Sequence, residues 1–157
     1  MTRNKFFNDE FVSENDLFYT CFIIEKTARS LKQHNSYVVN AIGKDELWKI
    51  LSLANVLHCQ NHDETVDNLI NEYNLEKGEF DISAVNPEYC SDIPTETDMG
   101  KVYARLVINT LLPDETYQEG IIRVYNNKIC DTIDNYNCSA YYEPSYVIER
   151  AYNNGTF

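Results

Sequence analysis

The chain has 157 residues, 43% of them apolar and 13% aromatic, enough to bury a core and to exclude global disorder. Its formal net charge of −12 argues against direct contact with nucleic acid or an anionic membrane and points to basic proteins as partners. Five cysteines (Cys21, Cys59, Cys90, Cys130 and Cys138) are odd in number and lack C-x-x-C spacing, so a reduced, cytoplasmic protein is expected.

The first residues turn acidic at Asp9 and Glu10, so no secretory apolar segment is expected. The longest apolar run, Cys21 to Ile24, is too short to span a bilayer. Residues 1–12 form a lead-in whose Phe6, Phe7 and Phe11 suggest a docked arm. Ser13 and Asp16 have capping-box spacing and open a first helix, in which Leu17, Cys21, Ile24, Ala28 and Leu31 recur at helical period. Asn35 or Ser36 is placed to cap a second helix that Gly43 ends. Asp45 is expected to cap a third, followed by a buried Val56-Leu57-His58 connector. Helix, glycine turn and helix outline a DNA-binding motif, but Asp45 and Glu46 beside Lys44 and Lys49 favour a packed α-hairpin.

A fourth helix follows Asn61 or Asp63, runs to about Leu75 and turns Val66, Leu69, Ile70 and Tyr73 inward. Residues 76–94 contain Pro87 and Pro94, show little periodicity and read as an acidic loop. Thr95 begins a fifth helix, Pro113-Asp114 a sixth, Lys128 a seventh and Pro144-Ser145 the last. The expectation is an all-α single domain over 1–157, a compact bundle of about seven or eight helices. An N-terminal half (13–75) and a C-terminal half (95–157) flank the central loop.

The charge is unevenly laid out. Between Asp63 and Asp98 lie eleven acidic residues and one base, Lys77. Those in the fourth helix have a ready account as a solvated face, helped by the helix dipole. No such account covers residues 76–98. The candidate partner-binding residues are therefore Glu72, Glu76, Glu79, Asp81, Glu88, Asp92, Glu96 and Asp98.

The spacing of Phe22, Ile24-Glu25, Ala28, Leu31, Val38 or Val39, Leu47, Leu51, Val56-Leu57-His58, Gln60, Val66, Ile70 and Tyr73 resembles a family of small uncharacterised bacterial helical domains. Their genes tend to lie beside genes for ADP-ribosyltransferase-like toxins. The likeness covers residues 18–73, mostly at core positions. It implies a helical fold and the role of antitoxin or accessory partner of such a toxin, an associational warrant.

Catalytic patterns are sparse. His58 and His62 are four apart, a spacing that metal sites use on helices, although a helix start at Asn61 or Asp63 would separate them. A core His58 and an exposed His62 are the structural alternative. His34, His62-Asp63 and Asp131 or Asp134 follow the order of helical metal-dependent phosphohydrolases with a His-Asp signature, making His34, His62, Asp63 and Asp134 the alternative metal set. Asp131 and Asp134 also read simply as a solvated helix face. No nucleophile elbow and no phosphate-binding glycine loop is present, so neither a catalytic residue nor a cofactor is expected. Twelve tyrosines, eight from Tyr103 onward, supply core rings and rim hydroxyls, and with the acids they suit an arginine-rich partner.

The expected function is a non-catalytic inhibitor of a basic partner. It would mimic nucleic acid by placing carboxylates where a nuclease or RNA-guided complex takes phosphates, as anti-CRISPR proteins do. An antitoxin covering a toxin's site is the alternative that the resemblance implies, and the phosphohydrolase is the enzyme alternative. Complexes could be 1:1 or involve a homodimer.

Overall fold

The central helix, α1 (Glu14–Leu31), begins where its sequence directs. The Asp16 N–H donates to Ser13 Oγ (3.1 Å) and the Ser13 N–H to Asp16 Oδ2 (2.9 Å), a reciprocal capping box. Leu17, Cys21, Ile24, Ala28 and Leu31 are all buried, as the spacing predicts. Thr20, Ile23 and Thr27 are buried as well, because α1 has neighbours on more than one side.

The computed structural model describes every residue, Met1–Phe157. After α1 come α2 (Asn35–Ile42), α3 (Lys44–Leu57), α4 (His62–Glu72), α5 (Glu96–Thr110), α6 (Tyr117–Tyr125), α7 (Ile129–Ile133), a 3₁₀ turn (Ser139–Tyr142) and α8 (Ser145–Asn154). The only β pairing is an isolated bridge between Arg3 and Phe11. The all-α expectation holds, with eight α-helices. None of them is long and apolar enough to cross a membrane.

The α1–α5 pair is the axis of the bundle. Helices α2, α3 and α4 also pack on α1, whereas α6 and α8 pack on α5. A second capping box, Thr95 with Asp98, starts α5. Its Met99, Tyr103, Leu106 and Val107 face inward at helical period. One contiguous core takes a buried side chain from every helix, so the halves before and after the acidic segment share it. Each large apolar side chain buried there contributes about 1.5–3 kcal/mol before chain entropy is counted.

Several boundaries differ from expectation. Gly43, at φ 80°, both ends α2 and precedes α3, which leaves no room for a separate cap at Asp45. Asp45 instead lies in the first turn, where the helix dipole favours it. His34 rather than Asn35 or Ser36 precedes α2, because the Asn35 side chain is turned into the core. The Val56-Leu57-His58 segment is not a buried connector. It finishes α3, with Val56 and His58 exposed. Helix α4 stops at Glu72, although Leu75 beyond it is still buried. A Thr116–Glu119 capping box, not Pro113-Asp114, starts α6.

The N-terminal arm docks, but not through its phenylalanines, which are all exposed. Thr2, Asn4 and Val12 are the buried residues. Asn4 Nδ2 donates to the Ser52 carbonyl (2.9 Å), and Asn4 Oδ1 accepts from the N–H groups of Phe6 (2.8 Å) and Phe7 (3.1 Å). Trp48 Nε1 donates to the Arg3 carbonyl (2.8 Å). Asn4→Ala should cost about 1–3 kcal/mol in urea denaturation, since it removes the acceptor of the part-buried Phe6 and Phe7 N–H groups and the tie to α3. Phe6→Ala should stay within about 0.5 kcal/mol.

Candidate functional site

The segment between α4 and α5 contains neither helix nor strand, yet its backbone is pinned at both ends. The Gly78 and Phe80 N–H groups donate to the carbonyls of Leu31 (2.8 Å) and Lys32 (2.9 Å). The strap thereby satisfies acceptors that the end of α1 leaves open. A Cβ at position 78 would lie 2.6 Å from the Lys32 carbonyl oxygen, so the crossing requires glycine. The Glu76 N–H donates to the Tyr37 hydroxyl (2.8 Å), and the Glu76 carbonyl accepts from Gln33 Nε2 (3.0 Å). Further on, the Asn86 N–H donates to Asn137 Oδ1 (2.7 Å), and Cys90 and Pro94 are buried. The backbone works inward, and the side chains of Glu76, Glu79, Glu88 and Asp92 are exposed.

The eight expected contact residues divide by what their carboxylates do. Glu72 pairs with Lys49 (3.0 Å), and Glu96 lies 3.9 Å from Arg29. Asp98 belongs to the α5 capping box, and Asp81 accepts from the Ser83 N–H (3.0 Å) and the Ser83 hydroxyl. Those two bonds hold the Asp81 carboxyl below its usual range. Glu76, Glu79, Glu88 and Asp92 are exposed and have neither an ion pair nor a side-chain hydrogen bond.

Beneath the strap, residues 80–85, the 131–137 segment and His34 line a half-open cavity of about 230 Å³. His34 and Phe80 form one wall as a stacked pair, with ring centroids 3.8 Å apart and planes at 16°. Asp131, Asp134 and Tyr136 also line it. Asp134 is not on a solvated face. Only 9% exposed, it joins a polar cluster in the core. Its Oδ1 accepts from the Tyr103 hydroxyl (2.7 Å) and its Oδ2 from Asn35 Nδ2 (3.1 Å). The same Asn35 amide nitrogen also lies 3.3 and 3.1 Å from the two oxygens of Glu25, which is 2% exposed. One amide thus bridges two buried carboxyls. Arg29 is close enough to moderate both charges, but its guanidinium donates to the Tyr136 hydroxyl (2.8 Å) rather than to either acid.

Burial pushes Asp134 up to about 7, against the pull of its bonds from Tyr103 and Asn35. Glu25 is raised well above the carboxylate range, first by burial and then by the charge of Asp134. Acting together, the two groups can hold a proton near neutral pH. Burial also pushes the thiols of Cys21 and Cys130 up to about 12, so neither is a ready nucleophile.

The alternative metal set is not assembled. His34 and Asp134 line the same cavity, but His62 lines another and Asp63 is exposed, paired with Lys26 at 3.1 Å. No group of three or more His, Cys, Asp or Glu is placed to hold a metal ion. His58 and His62 stack with centroids 6.0 Å apart, beside Tyr19 and Phe22, because α3 ends before one and α4 begins at the other. His58 is exposed and His62 half-buried, the reverse of the structural expectation.

Sequence reasoning missed the buried cluster. Its signals were faint but present: Glu25 follows Ile23-Ile24, and Asp134 lies four residues after Cys130 beside Ile133. No protein-family model, curated protein or solved structure matches the chain.

Proposed function

We propose that this protein is a non-catalytic inhibitor that binds a basic partner through the acidic strap, offering carboxylates to a groove that otherwise takes phosphates. The observation that carries this reading is the set Glu76, Glu79, Glu88 and Asp92: exposed, without a cation, on a backbone fixed near Glu76 and Glu79 by hydrogen bonds to the end of α1 and to α2, and ahead of Glu88 by the Asn86–Asn137 bond. Holding the charges in place before binding reduces the ordering cost of association. A net charge of −12 speeds encounter with a cationic surface and repels nucleic acid itself.

Glu72, Glu96, Asp98 and Asp81 have structural work and take a lesser part. The resemblance of residues 18–73 supports a toxin as the partner, and a nucleic-acid enzyme fits the same chemistry. Capture from the native host, followed by competition with duplex DNA, separates the two. A DNA-displaceable partner supports the mimic.

Reversing Glu76, Glu79, Glu88 and Asp92 together to Lys should weaken binding about 10–1,000-fold, chiefly through the association rate, and reduce its salt dependence. The helical circular-dichroism spectrum should not change. Undiminished affinity in the fourfold variant would sink the proposal.

A further inference from the structure

We propose that the cavity between the strap and α7 receives an arginine side chain of the basic partner. This rests on the reading above and adds a specific contact to it. Three carboxyl-bearing residues line the cavity (Asp81, Asp131 and Asp134) and no lysine or arginine does. Asp131 is exposed and makes no ion pair. Asp134 accepts one hydrogen bond on each oxygen, whereas an ionised carboxylate offers about four acceptor sites.

The aromatic walls narrow the choice of cation. A guanidinium stacks flat on a ring such as Phe80 while it donates in its plane to carboxylates. An ammonium is a hydrated point charge and gains less from the rings. A divalent metal ion would need a converging ligand set, and none is placed here. The volume is below the about 300–1,000 Å³ of pockets for drug-sized ligands, which suits one side chain better than a cofactor. The protein already uses this pairing elsewhere: Arg123 lies 5.6 Å over Tyr152 while pairing with Glu115. Burial without a bonded cation keeps Asp134 raised, and a guanidinium would favour its ionised form.

The test is an NMR titration of the ¹⁵N-labelled full chain near neutral pH. The probes are N-acetyl-arginine methylamide, its neutral citrulline isostere and the lysine analogue. Saturable shifts at Phe80, Asp131 and Asn135 with the arginine probe are expected, with none from citrulline and several-fold weaker binding of lysine. Asp131→Asn, an exposed and nearly isosteric change, should weaken the arginine response at least about fivefold. Equal responses to arginine and citrulline would overturn the proposal, as would shifts that D131N leaves unchanged. The titration needs no partner, so its failure leaves the inhibitor reading standing. A positive titration beside undiminished binding of the fourfold Lys variant would sink the strap reading and leave the arginine site standing.

Discussion

Acidification from about pH 8 to about pH 5 should stabilise the fold by roughly a few kcal/mol, most of it arising at Glu25 and Asp134. The sign follows from proton binding. Asp134 has its ordinary value of 3.8 in the unfolded chain and about 7 in the folded one, raised by burial. Glu25 is raised by burial and by its neighbour. The folded state therefore holds more protons between those values. The stability tied to the protonated pair is complete below the unfolded values and is lost as the pH rises through about 7. Glu115, lowered by its hydrogen bonds from Arg123, has the opposite sign and loses its contribution as the pH falls through its own lowered value. Stability should thus peak in mildly acidic solution. Urea denaturation across the range checks this, and a steady loss of stability from pH 8 to pH 5 would contradict it.

Overall charge repulsion also eases on acidification, so the cluster needs its own control. Glu25→Gln removes one buried carboxyl but keeps an amide that can meet Asn35 and Asp134. It should flatten the dependence between about pH 5 and pH 8 and raise stability at the alkaline end. Glu79→Gln changes the net charge equally at an exposed site and should leave the dependence intact.

The architecture was legible wherever local chemistry dominates. Capping boxes at Ser13 and Thr95 and the spacing from Leu17 to Leu31 specify helices without help from the rest of the chain. Boundaries at Asp45, Val56 and Pro113 were less legible, because neighbouring helices and turn geometry decided them. The acidic strap shows the same division. Its composition marked it as irregular, whereas its path depends on carbonyls of Leu31 and Lys32 more than forty residues earlier in the chain. The buried carboxyls were the least legible. Helical period alone puts Asp131 and Asp134 near one another, but only the arrival of Asn35 and Tyr103 from distant elements makes Asp134 a core residue. The four site histidines and aspartates failed to meet for the same reason in reverse: correct order along a chain carries no information about which helix ends converge.

Gly100→Ala should destabilise the protein by about 1–3 kcal/mol, although helix propensity alone favours alanine by about 1 kcal/mol. An added Cβ would lie 2.9 Å from both Cα and N of Phe22, at the close approach of α5 to α1. Those atoms are backbone and cannot rotate away, so the two helices must separate. Gly120 is the matched control. Its Cβ would meet the terminal methyls Val107 Cγ1 at 3.0 Å and Leu111 Cδ1 at 3.1 Å, which can yield, so G120A should cost less. The Gly100 effect should also reach the polar cluster. Glu25 lies one turn beyond Phe22 on α1, and Tyr103 one turn beyond Gly100 on α5. Prying these helices apart lengthens the Tyr103–Asp134 bond or draws water to the carboxyls, either of which changes the raised pKa of Asp134. G100A should therefore alter the pH dependence of stability as well as its magnitude, whereas G120A should shift the curve without reshaping it. A stabilised G100A protein would mean that α1 and α5 do not meet as closely as this, and that the buried acids are held by something other than their contact.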